Sequence, residues 1–381
     1  MTDFRSMMKK CSLLLGFLCL VLVSVDAEGL TSPRDTQQLE PEEFRLRTNL
    51  NDQAISYYRD GKYAEAEPLF KRSITIREKV LGQFHPQLAQ SLNYLAGLYQ
   101  AQGKYAEAEP LLRQVVGIRE KTLGPEHPLV GESLNSLAVL YRSQGRYDEA
   151  EPLYKRALEV LGEALGTRHT RVSAVLNNLA NLYYTQGKFV EAEPLHKRAL
   201  RIDETLLGAE HPIVANSLNN LAALYQAQGK HAEAEPLHER SLAIREKTLG
   251  PEHPDVAQSL NNLANLYHSQ GKYLEAEPLH ERSLAIREKT LGPEHPDVAQ
   301  SLYNLARLYQ AQGKHVEAER MYKQSLEIWE KSLGPNHPYV AKGLENYARL
   351  LRKLNREEEA AKFQARANAI LIKYVNENLT E

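Results

Sequence analysis

Residues 233–260 read EAEPLHERSLAIREKTLGPEHPDVAQSL, and residues 275–302 repeat all 28 letters unchanged, at an offset of 42. Working outward from this pair, the same offset links Gly61, Gly103, Gly145, Gly187, Gly229, Gly271 and Gly313, with Asn355 in the next slot. A second glycine series runs from Gly82 to Gly334 and a histidine series from His85 to His337, both in steps of 42. A fixed period of this size marks a repeat architecture, in which no unit buries its own apolar face and stacked neighbours share one core. Eight copies are expected over residues 43–375.

Each copy reads as two helices. In the second copy, Pro86 suits a first helical position, where its missing N–H costs nothing. Leu92, Leu95, Ala96 and Tyr99 follow at helical spacing, and Gly103 ends the run. Tyr105, Ala108, Leu111 or Leu112, Val115 or Val116, and Ile118 form a second stripe that stops at Gly124. Arg119 and Lys121 lie in its last turns, where cations complement the helix dipole. Pro68, Pro110, Pro152, Pro194, Pro236 and Pro278 recur inside the second helices and are expected to kink them. Arg320 and Ala361 replace them in the last two copies, which should run straighter.

The chain has 381 residues, 42% apolar and 25% charged, with 47 basic against 49 acidic side chains and a net charge of −2. These are globular values, and no basic excess points to nucleic acid. Residues 1–27 carry a basic start (Arg5, Lys9, Lys10), an apolar run from Ser12 to Val25, and small residues at Val25 and Ala27. This is the pattern of a cleaved signal peptide, so the protein is expected to be exported, periplasmic or secreted, with a membrane-tethering uncleaved anchor as the alternative. Both cysteines, Cys11 and Cys19, lie in that segment, which leaves the mature chain without disulfides or thiolate chemistry. Residues 28–42 read as a flexible lead-in and 376–381 as a tail, where Asn378-Leu379-Thr380 fits a glycosylation acceptor.

Leu-Ala-x-Leu-Tyr, Gln-Gly-Lys-Tyr and Glu-Ala-Glu resemble the tetratricopeptide repeat (TPR), with Ala96 and Ala108 at its small positions and Tyr99 and Tyr105 at its aromatic ones. The 42-residue period, Leu-Gly-Pro-Glu-His-Pro and Leu-Asn-Asn-Leu-Ala are similar to the kinesin light chain subclass. The resemblance implies an all-α, right-handed superhelical solenoid of eight helix-turn-helix repeats. It implies protein or peptide binding in a concave groove lined by the first helices. Residues 28–42 are too short and polar for the heptad coiled coil of kinesin light chains, so a motor-subunit role is not expected.

On that face the sequence places an asparagine ladder: Asn93, Asn135, Asn177, Asn219 and Asn261, followed by Tyr303 and Glu345. One turn on lie Gly97, Val139, Asn181, Ala223, Asn265, Arg307 and Arg349. An amide offers donors and an acceptor, which suits a peptide backbone read without regard to its sequence. The competing use of the ladder is local, between helices. Asn178, Asn220, Asn262, Asn304 and Asn346, one residue later, read as structural. Arg307, Lys342, Arg349 and Arg352 make the last stretch basic, tempered by Glu345, so an acidic segment or a free carboxylate is the expected ligand there. The candidate groove residues are therefore Asn93, Asn135, Asn177, Asn181, Asn219, Asn261, Asn265, Arg307, Arg349 and Arg352. A second reading is an adaptor or regulatory subunit, like a cargo adaptor, working through its convex face or its ends, with self-stacking as an option.

No cofactor, metal, nucleic acid or small-molecule substrate is expected. The turn histidines lie one per repeat, too far apart to share an ion, and before proline they read as helix starters. His196, His238 and His280 adjoin a glutamate only at i and i+1, where side chains diverge. Every Ser, His and Glu is part of a repeat, and no unique constellation supports catalysis.

Overall fold

A computed structural model describes residues 41–378 as sixteen helices; the expected signal peptide and most of the tail lie outside the described residues. The helices are α1 Pro41–Arg59, α2 Tyr63–Leu81, α3 Pro86–Ala101, α4 Tyr105–Leu123, α5 Pro128–Ser143, α6 Tyr147–Leu165, α7 Thr170–Thr185 and α8 Phe189–Leu207. They continue with α9 Pro212–Ala227, α10 His231–Leu249, α11 Pro254–Ser269, α12 Tyr273–Leu291, α13 Pro296–Ala311, α14 His315–Leu333, α15 Pro338–Lys353 and α16 Glu357–Asn378. Each helix packs on its sequence neighbours, and odd helices also touch the next odd helix, as in a two-layer solenoid. The first repeat begins at Pro41, inside the expected lead-in, and the last helix runs past Val375 to Asn378.

The punctuation of the period has a direct cause. Every turn histidine from His85 to His337 is a helix N-cap; in α3, for example, His85 Nδ1 accepts the Gln87 N–H at 3.2 Å. That fixes the ring and satisfies one orphan donor of the first turn. At the fourth copy His169 caps α7 in the same way although Thr170 replaces the proline. The first glycine series is left-handed, and Asn355 adopts φ 58° in the slot where the glycine is missing. Gly82, at φ 86° and ψ 163°, lies in a region that only glycine populates. The second helices run unbroken through their prolines for 19 residues, the same length as α14, which has Arg320 there.

The core is apolar where the stripes require it. Leu112, Val115 and Ile118 are buried in α4, while Leu111 and Val116 are only partly covered. Between repeats the seam is polar. Arg77, Arg119, Arg245 and Arg287 each turn inward and donate through Nη1 to a backbone carbonyl ten residues on and to a serine Oγ fourteen residues on. Arg119, read from sequence as a dipole partner near the helix end, thus ties α4 to α5.

Outside, charge follows the same period. Glu67 pairs with Lys104, Glu109 with Arg146, Glu193 with Lys230, Glu235 with Lys272, Glu277 with Lys314 and Glu319 with Arg356. The tyrosine of the next repeat donates to the same carboxylate in most copies, as Tyr99 does to Glu67 at 3.2 Å. Burial pushes the Glu319 carboxyl up, but bonds from Lys323, Arg356 and Tyr347 outweigh it and hold it near about 2. The second glutamate of Glu-Ala-Glu-Pro is therefore a rung between repeats.

Candidate peptide-binding groove

The odd helices form one layer of the stack. At its C-terminal end a shallow open depression of about 460 Å³ is lined by His268 of α11, Arg307, Gln310 and Ala311 of α13, and Asn346, Arg349 and Lys353 of α15. Asn346, Arg349 and Lys353 are spaced i, i+3, i+7, one stripe of a helix. Lys342, one turn earlier on α15, holds its Nζ 5.2 Å from the Tyr303 ring centre, and Arg307 lies 5.9 Å from the same ring. Both are within range of cation–π attraction.

The charges of this end are mostly basic, with Glu345 beside Arg349. Burial, and then the Arg307 charge, bring the Lys342 ammonium down to about 8. The same two causes bring His268 to about 4, so its imidazole is neutral at neutral pH. Burial raises the Glu345 carboxyl, against the pull of Arg349 and Gln364. No ion pair joins Arg307, Lys342, Arg349 or Lys353 to a carboxylate among the described residues, whereas the rungs outside the groove are paired in most repeats.

The asparagine ladder makes hydrogen bonds within the stack, the local use that competes with ligand binding. Asn219 and Asn261 are buried and Asn177 is half-buried. Asn177 Nδ2 donates to Ser217 Oγ at 2.9 Å while its Oδ1 lies 2.8 Å from His196 Nδ1. Asn219 repeats the arrangement with Ser259 and His238. Asn135 accepts from Asn178 and Asn261 from Asn304. Asn177 and Asn219 are engaged through both amide atoms, and Asn135 and Asn261 through Oδ1. One turn on from the ladder slots of α13 and α15, Arg307 and Arg349 reach the cavity, together with Asn346.

Of the other expected groove residues, Asn181 is buried, Asn93, Asn265 and Arg307 are half-buried, and Arg349 and Arg352 are exposed. The structure brings Arg307 and Arg349 together at the cavity; Arg352 is not among its lining residues. Sequence reasoning missed His268, Gln310, Asn346 as a lining residue, and Lys353. The signal for Lys353 was its place four residues after Arg349 on one face.

The family profile described as the tetratricopeptide repeat matches in seven overlapping windows, from residues 45–121 to residues 297–373. The chain belongs to the tetratricopeptide repeat family. Among solved TPR structures, a Podosopora anserina protein described as a kinesin light chain with nearly identical TPR-like repeats is 36% identical, over 54% of this chain and 98% of that one, at a TM-score of 0.45. BtubC (BKLC) from P. vanneervenii is 29% identical over 64% of this chain and 92% of that one, at 0.47. A Rap protein crystallised with competence and sporulation factor is 14% identical over 88% of this chain and 99% of that one, at 0.58, a likeness of TPR fold alone. A comparison with curated proteins gave no match. TPR folds generally mediate protein–protein interaction. Among the described residues, no group of three or more His, Cys, Asp or Glu side chains is placed to hold a metal ion.

Proposed function

We propose that this TPR chain is a non-catalytic scaffold that binds an extended peptide or a partner protein in its concave groove, and that an acidic stretch of that ligand is anchored between α11, α13 and α15. The observation that carries this reading is the placing of Arg307, Arg349 and Lys353 around one depression, with no ion pair to a carboxylate among the described residues. Clustered cations repel one another, and an incoming carboxylate relieves that repulsion while gaining charge-assisted hydrogen bonds. Asn346 and Gln310 add amides for the ligand backbone.

The test is fluorescence anisotropy with a fluorescein-labelled hexaglutamate peptide. Binding should weaken with salt, and Arg307→Ser with Arg349→Ser should weaken it about tenfold to a hundredfold. Asn219→Ala should leave the affinity unchanged while lowering Tm. Hexaglutamate held equally tightly by the double arginine variant would remove the anchor from this cavity. Export is part of the same proposal, supported by the pattern of residues 1–27. N-terminal sequencing of the protein from its host should begin at Glu28, and a start at Met1 in a membrane fraction would favour the uncleaved anchor.

A further inference from the structure

The periodic sequence carries its own internal controls. The glycine between the two helices of a repeat opens onto empty space at Gly145, Gly187, Gly229, Gly271 and Gly313, with nothing within 4 Å of an added Cβ. At Gly61 that Cβ would stand 2.6 Å from His295 Cδ2, and at Gly103 3.1 Å from His337 Cδ2. These histidines belong to repeats seven and eight. The residue that opens each second helix behaves likewise: Tyr63 and Tyr105 are buried, while Tyr147, Phe189, His231, Tyr273 and His315 are half-buried. On the other side, Pro296 and Pro338 are buried, whereas the equivalent prolines Pro86, Pro128, Pro212 and Pro254 are not. Tyr374 of α16 completes the contact, edge-on to Tyr105 at 6.0 Å.

From this we infer an intramolecular clasp: the inter-helix turns of the first repeats dock on the His-Pro turns of the last two, closing the array into a single superhelical turn. The clasp does not depend on what the groove binds. It has a consequence for the groove, because α13 and α15 each have their N-terminus in the clasp and their C-terminal half at the cavity. A rigid 16-residue helix held at one end holds the other. The rings at the contact cannot swing aside freely, since His295 Nδ1 and His337 Nδ1 each accept a backbone N–H at 3.1 Å.

The test compares Gly61→Ala with Gly103→Ala against Gly187→Ala with Gly229→Ala in the full chain. All four glycines have nearly the same positive φ, 71° to 74°, so the backbone strain of the two pairs is matched and only the first pair adds a methyl facing a distant repeat. Small-angle scattering should show a larger radius of gyration for the first pair alone. Amide exchange should be about tenfold faster at the N-termini of α13 and α15 and at the start of α4. Tyr374→Ser, which leaves every glycine turn intact, should give the same pattern more weakly. Equal radii and equal exchange for the two glycine pairs, with Tyr374→Ser like wild type, would overturn the clasp.

Discussion

Repeats four to six and repeats seven to eight solve the same packing problem with opposite chemistry. In the middle, His238 meets Asn219, and Arg287 meets Ser301, the Asp297 carbonyl and Gln258, all at the seams between helices. In the last repeats the corresponding slots hold Tyr303 for the asparagine, Tyr322 for the histidine and Trp329 for the arginine. Tyr303, Tyr322, Trp329, Tyr339, Tyr347 and Phe363 form a chain of ring contacts, with Trp329 against Tyr339 at 5.4 Å. In repeat seven all three slots change together, whereas repeats one and two keep Arg77 and Arg119 with Phe70 and Leu112 in the histidine slot. A polar seam is favourable only when each member finds its partner, because a half-satisfied buried network is worse than an apolar one.

The comparison is broken most severely at the single tryptophan. Trp329 is fully buried, and its Nε1 donates to the Pro296 carbonyl at 3.2 Å. Trp329→Ala should cost about 3–5 kcal/mol in urea unfolding. It should also loosen the clasp, since its ring supports Tyr339. On the polar side, Arg287→Leu removes a guanidinium but leaves Ser301, Gln258 and the Asp297 carbonyl without their donor. A loss of about 2–3 kcal/mol is expected despite the more apolar side chain. A loss close to zero would mean that the seam works as an apolar contact and that its polar pairing is incidental.

Acid should act on the buried histidines of both regions, His337 of repeat eight included, which burial brings to about 3. Burial brings His196 to about 3, His238 to about 4 and His280 to about 3. Their folded values lie below the unfolded one of about 6.5, so the unfolded chain takes up protons first as pH falls. Stability contributed by the neutral rings is whole above pH 6.5 and is lost progressively from there toward pH 4. His238→Phe, which imitates Phe70 in the first repeat, should flatten that slope by roughly 1–2 kcal/mol between pH 6.5 and 4.5, measured by urea unfolding at each pH. Parallel slopes for variant and wild type would show that the imidazole is not held neutral.

The period, the paired helices, the histidine caps and the asparagine at the left-handed slot were all legible, because each is a local rule repeated seven or eight times. The polar seam was not. Within one repeat, Arg287 and Ser301 look like surface residues, and only stacking shows that they meet. For the asparagine ladder, periodicity gives a face, while neighbouring helices decide which of its positions stay open: Arg307 and Arg349 of that face line the cavity, and Asn219 and Asn261 are covered. The clasp was illegible in principle, since identical Gly-Lys and His-Pro turns are bare in one repeat and buried in another. Superhelical pitch decides which, and no single repeat encodes it.

Asp203 sharpens the comparison from inside the polar region. It occupies the slot that Arg245 and Arg287 fill in the next two repeats. It is fully buried and accepts hydrogen bonds from Ser173 and from Ser217, the latter at 2.6 Å, with no ion pair to a cation among the described residues. Burial raises its carboxyl above the ordinary aspartate value, and the two serine bonds offset only part of that. A raised folded value means that the native state holds the proton longer than the unfolded one. Its contribution to stability is therefore whole below the ordinary aspartate range and declines as pH rises through the folded value, the reverse of the histidines. Asp203→Asn keeps the shape and removes the charge. It should stabilise the chain by up to about 1 kcal/mol at pH 7, and the gain should vanish as pH falls below 4. Urea unfolding of both proteins at pH 3.5 and 7 checks this. A variant less stable than wild type at pH 7 would show that the seam at α7–α9 depends on the negative charge itself, and that this one repeat holds its serines by charge where the others use arginine.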